Sequence, residues 1–133
     1  MAVLYENILK TGKEGLYNIT REVTDAIKKS DVSEGIAILF CPHTTAAITI
    51  TENTDSDVCD DILLGLEKAF PDRPEFKHRE GNSFAHLKSS VMHCEMCIII
   101  RDGWPLLGVW QAIFFCEFDG PRERKYYIKI IAD

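Results

Sequence analysis

Six consecutive apolar residues, Ile36 to Cys41, stand between Gly35 and Pro42 and constrain the fold more than any other part of the chain. A run of this length suits a strand, and the absence of polar residues predicts that both faces of the strand are buried. Proline has no N–H group for a sheet ladder, so the strand should end at Pro42. Ala46 to Thr51 predicts a further strand directly after the turn. The chain therefore needs a sheet with this apolar run at its centre.

The remaining segments predict an α+β protein. Ala2–Lys10 and Leu16–Ile19 favour an opening hairpin, and the C-terminal third favours a meander of three strands. Apolar residues at helical spacing predict three helices, near residues 20–30, 54–70 and 83–91. Hairpins mixed with helices, without strict βαβ alternation, indicate a single domain over residues 1–133. We expect one mixed or antiparallel sheet with about three helices against one face.

Length, charge and cysteine content exclude several classes of protein. At 133 residues the chain has room for one core. Its formal net charge of −6 argues against nucleic-acid binding, which needs clustered Lys and Arg. No apolar run approaches the ~18 residues that cross a bilayer, and the N-terminus lacks a signal-peptide pattern. The five cysteines lie mostly in apolar runs, as reduced thiols do. We therefore expect a cytoplasmic protein without membrane or nucleic-acid partners.

Metal-ligand and anion-ligand residue types are concentrated between His78 and Ser90. The second half of this segment predicts a helix that begins at Asn82 or Ser83. Free N–H groups at a helix start form an anion site, which makes Asn82 a candidate anion-binding residue. His86 lies one turn before Ser89 and Ser90, so these side chains should share a face.

Three histidines beside predicted turns or caps, His43, His78 and His86, are candidate metal ligands. Neutral imidazole suits zinc and similar divalent metals, and three such ligands leave a position open for water or substrate. The alternative is three unrelated surface or hydrogen-bonded histidines, because their spacing is not diagnostic. Glu52 and Glu80 lie in predicted turns near these histidines. Either can orient an imidazole or act as a general base.

Several further side chains are candidates for binding a phosphorylated ligand. Lys88, Ser89 and Ser90, with Arg122 and Arg124 after a turn, offer hydrogen-bond donors. Lys88 and Arg122 are the leading cations, although Arg122 and Arg124 are equally typical of ordinary charges at a hairpin end. Gln111 is an amide among apolar residues and must find a partner if it is buried.

Together these residues resemble the signature blocks of the YjbQ family, across almost the whole chain. The blocks are residues 43–50, Glu52–Asn53, residues 78–90, residues 107–111 and residues 116–122. The resemblance implies a compact α+β protein that assembles as a homotrimer, with a metal site at His43, His78 and His86. Phe84 stands where relatives usually have a small or acidic residue, so the ligand can differ from theirs.

Some members of that family are described as secondary thiamine-phosphate synthases, which join a pyrimidine diphosphate to a thiazole phosphate and expel pyrophosphate. The resemblance implies the same activity here, helped by Lys88 and Arg122. One alternative is a metal-dependent hydrolase of a small phosphorylated or carbonyl substrate, since a three-histidine metal also activates water. Another is a module that binds metal or anions without catalysis.

Overall fold

The chain forms eight strands and three helices. The structure is a computed structural model that describes residues 1–133. Its elements, in order, are β1 (Ala2–Lys10), β2 (Gly15–Asn18), α1 (Thr20–Ser30), β3 (Gly35–Phe40), β4 (Ala46–Glu52), α2 (Ser56–Ala69), α3 (Ser83–Met92), β5 (Glu95–Arg101), β6 (Trp104–Pro105), β7 (Gln111–Glu117) and β8 (Glu123–Ala132). The predicted α+β class with three helices is confirmed.

The strands form two antiparallel sheets rather than the single sheet expected. The larger has the order β1-β8-β3-β5-β6 and the smaller the order β2-β7-β4. β1 pairs with β8 and β2 pairs with β7, so the predicted opening hairpin is wrong. The C-terminal meander is also wrong, because β7 and β8 lie in different sheets. Strand partners depend on contacts between distant parts of the chain, which local alternation does not encode.

The apolar run of β3 occupies the middle of the larger sheet, as predicted, but only one of its faces is buried in this chain. Ala37 and Leu39 are fully buried, whereas Ile36 and Ile38 are half-buried and Phe40 is 42% exposed. The buried face meets α1 and the smaller sheet across a core of 17 buried residues. The opposite face of the larger sheet carries no helix.

Helices α2 and α3 cover the smaller sheet on the side away from this core. Ala47, Ala85, Cys116 and Phe118 form a second, small apolar cluster there. The hydroxyl of Ser89 donates a hydrogen bond to the carbonyl of Ala46 at 2.6 Å and fixes α3 to the start of β4. None of the three helices has the length and apolar character of a membrane span.

The register of the larger sheet brings the loop after β3 close to the start of β8. Phe40 at the end of β3 pairs with Tyr127 in the middle of β8, and the two strands are antiparallel, so the chain beyond Phe40 continues toward the start of β8. The loop that follows β3 therefore passes beside Lys125 and the turn before β8. Because α3 is fixed to β4 immediately after that loop, the start of α3 faces the same region.

Candidate functional site

A polar cleft of about 350 Å³ opens where the loop after β3, the segment before α3 and the start of β8 meet. No hydrophobic residue lines it. The lining consists of three histidines, two arginines and five other residues: Pro42, His43, Thr44, Thr45, His78, Glu80, Asn82, His86, Arg122 and Arg124. The structure therefore brings together the three predicted metal ligands with Glu80, Asn82 and Arg122. Their roles remain predictions.

His43 is held by the backbone of β8. Its Nε2 atom lies 3.0 Å from the carbonyl oxygen and 2.9 Å from the amide nitrogen of Lys125. Burial, followed by the positive charge of Arg124, lowers the pKa of His43 below the ordinary value of 6.5. The neutral ring, which is the form that ligates metals, is therefore favoured.

His78 and His86 form a pair on the opposite side of the cleft. Their ring centroids are 5.2 Å apart and the rings are nearly perpendicular, at 86°. His86 lies in the first turn of α3, and His78 lies in the segment before that helix. Gly81, which has a φ of 73°, turns the chain between them. A side chain at this position would strain the backbone, so glycine suits the turn.

The histidines fit a metal in part. Two imidazoles bound to one tetrahedral zinc at ~2.0–2.1 Å have centroids roughly 5 Å apart, as His78 and His86 do. A ligating histidine usually donates its other ring N–H to a carbonyl or carboxylate. His43 Nε2 instead accepts the amide N–H of Lys125 at 2.9 Å, which leaves the proton of the neutral ring on Nδ1, where it blocks ligation. In addition, no three His, Cys, Asp or Glu side chains lie together in an arrangement that could hold a metal ion. The rings share a cleft without forming a complete three-ligand site.

Arg124 forms the cationic wall of the cleft and is 4% exposed. Its Nε and Nη2 atoms donate to the two carboxylate oxygens of the fully buried Glu117. Nη2 also donates to the hydroxyl of Thr45 at 2.9 Å. Nη1 makes no hydrogen bond within the chain and is not fully buried, so its N–H groups remain available in the cleft. The sequence pattern favoured Arg122 over Arg124 as the anion-binding arginine.

Glu117 is ionised to match Arg124. Burial raises the pKa of its carboxyl, but hydrogen bonds from Arg124, Thr11 and the amide of Asp119 outweigh burial and lower it. The hydroxyl of Thr11 donates to Glu117 at 2.6 Å. An acidic residue at the end of the apolar strand β7 was the sequence signal for this pair, since a buried carboxylate needs a cation.

Arg122 and Asn82 are joined through Asp119. The Asn82 amide nitrogen donates to Asp119 Oδ2 at 2.8 Å, and Arg122 Nη2 donates to the same oxygen at 3.0 Å. Arg122 Nε donates to the Asp119 carbonyl at 2.7 Å. Arg122 Nη1, like Arg124 Nη1, makes no hydrogen bond within the chain. Two guanidinium groups, each fixed along one edge by an acidic residue, thus line one cleft.

Ser89 and Ser90 lie beside this cleft, not in it. They line a neighbouring depression of about 320 Å³ that shares His43, Thr44 and His86 with the cleft. The Ser90 hydroxyl donates to the carbonyl of His86 at 2.8 Å. Because both serine hydroxyls donate to backbone carbonyls, only their oxygen lone pairs remain free.

Lys88 is fully buried on the other side of α3, and it does not line the cleft. Its ammonium contacts Glu14 at 3.0 Å and Glu67 at 2.9 Å. These contacts tie α3 to α2 and to the turn before β2. The geometry therefore favours a structural role for Lys88 over the predicted catalytic one.

Glu52 and Gln111 lie at the far end of the smaller sheet, where they are register partners. β4 begins beside the cleft at Ala46, and six residues of strand place Glu52 roughly 20 Å further on. Gln111 Oε1 accepts a hydrogen bond from the amide of Gly108 at 2.8 Å. Neither residue lines the cleft, so the structure does not bring them together with the other predicted site residues.

A protein-family model described as "UPF0047 protein YjbQ-like" matches residues 6–133. This chain belongs to the YjbQ family. It is 52% identical to the UPF0047 protein MJ1081 of Methanocaldococcus jannaschii over 98% of this chain and 96% of that protein. It is 44% identical to the UPF0047 protein YugU of Bacillus subtilis over 93% and 95%, respectively. The predicted family is confirmed.

Solved YjbQ-family structures have the same fold. A crystal structure of an uncharacterised conserved YjbQ/UPF0047 protein from Clostridium acetobutylicum matches with a TM-score of 0.93 and 52% identity. The match covers 96% of this chain and 99% of that chain. A conserved hypothetical protein from Thermus thermophilus matches with a TM-score of 0.90 at 38% identity, over 96% and 99%.

Proposed function

We propose that this YjbQ-family protein is a metal-dependent enzyme that acts on a small phosphorylated molecule in the polar cleft. The observation that carries the proposal is the lining: three imidazoles and two guanidinium groups, with no hydrophobic residue. Pockets for apolar ligands are mostly lined by apolar and aromatic side chains. A cleft of this composition suits an oxyanion and a cation that neutralises it.

Each part of the cleft has a distinct task under this proposal. A divalent metal, zinc or similar, at His43, His78 and His86 would require the three rings to move closer than they lie in this structure, and it would supply Lewis acidity or an activated water. Arg122 and Arg124 bind phosphate oxygens through their unpartnered Nη1 atoms. Glu80 lines the same cleft and serves as the acid/base group.

Thiamine-phosphate synthesis is the candidate reaction that family membership suggests. In that reaction the guanidinium groups would hold the leaving pyrophosphate or the second phosphate. A hydrolase is the second candidate, because the two heteroaromatic substrates of the synthase need surface for their rings. This cleft offers imidazoles and polar groups, and its volume of about 350 Å³ lies near the small end of ligand pockets.

Elemental analysis tests the metal part of the proposal. Protein purified without a histidine tag is compared with His43→Ala, His78→Ala and His86→Ala, with His93→Ala as the control because His93 does not line the cleft. We expect near-stoichiometric metal in wild type and in the control, and loss of metal in the three variants with retained fold. Wild type that lacks metal, and cannot be reloaded by titration, would contradict the proposal.

Turnover distinguishes the candidate reactions. Formation of thiamine phosphate from its two precursors, abolished by His86→Ala in folded protein, would support the synthase. Release of phosphate from simple esters without a coupled product would support the hydrolase. If metal or anion binds but neither reaction occurs, the protein is a binding module.

We also propose a homotrimeric assembly in the cytoplasm. The uncovered face of the larger sheet carries exposed apolar side chains, among them Leu4, Ile8, Phe40 and Ile99, and such patches mark interaction surfaces. All five cysteines are free thiols, which suits a reducing compartment. Sedimentation equilibrium of wild type and Ile99→Arg tests the assembly. We expect a trimer that the charged substitution dissociates, and a monomeric wild type would contradict it.

A further inference from the structure

One buried side-chain oxygen or nitrogen in the protein has no hydrogen-bond partner, and it belongs to the cleft. This atom is Asn82 Oδ1. Asn82 is 8% exposed and lines the cleft. Native proteins pair nearly all buried polar atoms, so an exception needs an explanation, such as a ligand group that is still to bind.

The orientation of the Asn82 amide is fixed by its neighbours. Its nitrogen donates to Asp119 Oδ2, which also accepts from Arg122. Burial raises the pKa of Asp119, but the hydrogen bonds from Asn82 and Arg122 outweigh burial and lower it. An ionised carboxylate only accepts, so reversing the amide would place two acceptors against each other. The oxygen, rather than the nitrogen, is therefore free for a ligand.

The Asn82 oxygen also does not make the hydrogen bond that is usual for its position at the start of the helix. Asn82 is the N-cap of α3, where an asparagine oxygen commonly accepts a hydrogen bond from the first turn. No side-chain cap bond is formed here. The residue is thus held by Asp119 in a conformation that leaves an acceptor unpaired at the cleft.

The surroundings decide which partner this acceptor can take. The guanidinium groups of Arg122 and Arg124 line the same cleft, and their Nη1 atoms are unpartnered. Arg122 and Asn82 share one carboxylate oxygen of Asp119, so they are neighbours. A cation bound directly to the Asn82 oxygen would stand next to the Arg122 guanidinium, which shares Asp119 Oδ2 with Asn82, and would be repelled there. A hydrogen-bond donor that is part of an anion satisfies both kinds of group.

We infer that Asn82 Oδ1 accepts a hydrogen bond from the bound oxyanion and makes the cleft select hydrogen phosphate over sulfate. The two anions have similar size and shape, but only phosphate retains a P–OH group above neutral pH. Sulfate would leave the Asn82 oxygen buried and unpaired, which is costly. The inference rests on the hydrolase form of the proposed function, because inorganic hydrogen phosphate, the product that a hydrolase releases, keeps one P–OH group. A phosphate ester loses its last P–OH proton near pH ~6, so Asn82 would recognise the released phosphate rather than the bound ester.

Calorimetric titration of the purified protein with inorganic phosphate and with sulfate tests this selectivity. At about pH 8 both anions carry close to two negative charges, because the second ionisation of phosphate groups lies lower. We expect wild type to bind phosphate roughly tenfold or more tightly than sulfate, the effect of one unpaired buried acceptor. This comparison needs no variant and does not depend on how a substitution folds.

Asn82→Leu then removes the acceptor. We expect a loss of phosphate affinity with unchanged or improved sulfate affinity, so that the selectivity approaches one. Asn53→Leu is the matched control, because its amide oxygen accepts from Asn18 at the opposite end of β4. The control should retain the selectivity of wild type.

Three results would overturn the inference, and they differ in what else they overturn. Equal affinity of wild type for both anions would refute the role of Asn82 but leave the anion site of the proposed function intact. Failure of wild type to bind either anion would refute both. If folded Asn82→Leu still binds phosphate more tightly than sulfate, another group accepts the hydrogen bond from the P–OH group. That result would refute the role of Asn82 and leave the anion site intact.

Discussion

Lys88 and Arg124 are both buried cations paired with acidic residues, yet they occupy different parts of the molecule. Lys88 is fully buried behind α3 and contacts Glu14 and Glu67, which are 29% and 59% exposed. Arg124 is 4% exposed and its partner Glu117 is fully buried. Arg124 also lines the polar cleft, whereas Lys88 lines none. Lys88 joins α3 to neighbouring elements, and Arg124 presents free N–H groups to the cleft.

The difference shows that burial and pairing do not identify a functional charge by themselves. Both side chains satisfy those criteria, and sequence reasoning favoured Lys88. What distinguishes Arg124 is its planar group, which binds Glu117 along one edge and keeps a second edge for the cleft. A lysine ammonium held between two carboxylates is a point charge without such a second edge.

The largest effect is expected for Glu117→Gln. This substitution keeps the shape of the side chain but leaves Arg124 buried without its counter-charge, which typically costs about 3–5 kcal/mol. Urea unfolding measures the free energy of unfolding. Glu14→Gln is the matched control in the Lys88 cluster and should cost about 1 kcal/mol or less, because Glu14 is partly hydrated. Equal losses of unfolding free energy in Glu117→Gln and Glu14→Gln would mean that the Arg124 pair is no more dependent on its counter-charge than the Lys88 cluster.

Arg124→Lys is expected to weaken ligand binding more than folding. The lysine retains a positive charge for Glu117 but cannot bind it along one edge while offering a second edge to an anion. We expect phosphate affinity to fall about 10- to 100-fold, the range for a hydrogen bond between charged groups. Calorimetric titration measures it. Arg101→Lys, at the end of β5 and outside the cleft, is the control, and a similar loss there would remove the distinction.

Lys88→Met tests whether Lys88 has a structural role without contributing to phosphate binding. Methionine keeps most of the buried aliphatic length, and the released Glu14 and Glu67 carboxylates can be hydrated. We expect a loss of about 1 kcal/mol in the free energy of unfolding and unchanged phosphate affinity. A loss of phosphate affinity at full stability would restore Lys88 to the site and contradict the structural role.

The sequence predicted much of the cleft because its residues are close to one another along short segments. His78, Glu80, Asn82 and His86 lie within one turn and helix start, and His43 follows the recognisable strand β3. Lys88 was predicted together with these residues, but it is buried and does not line the cleft. Residues two apart on an α-helix point about 200° apart, so a cleft-facing His86 turns Lys88 away.

Other features required contacts that no local pattern contains. The Arg124–Glu117 pair joins β7 and β8, which lie in different sheets although they are adjacent in sequence. Glu52 was grouped with His43 because they are close in sequence, but an extended strand carries the chain roughly 20 Å over that distance. The central position of β3 was predictable, whereas the split into two sheets depends on pairing between distant segments.

The smallest expected effect is on the pH dependence of stability, and it concerns His43, which lines the same cleft as Arg124. Burial and the charge of Arg124 lower its pKa in the folded protein below the value of 6.5 that applies to the unfolded chain. Below pH 6.5 the unfolded chain therefore binds more protons than the folded protein, and the free energy of unfolding decreases as the pH is lowered. This contribution is fully present above pH 6.5 and is lost as pH falls through the folded pKa.

His43→Gln, which cannot be protonated, tests this dependence. Urea unfolding is measured above and below pH 6.5, and the free energy of unfolding should fall less in His43→Gln than in wild type. His93→Gln is the control, because His93 lies outside the cleft that Arg124 lines. Identical pH dependence in wild type and His43→Gln would mean that neither burial nor the charge of Arg124 lowers the pKa of His43.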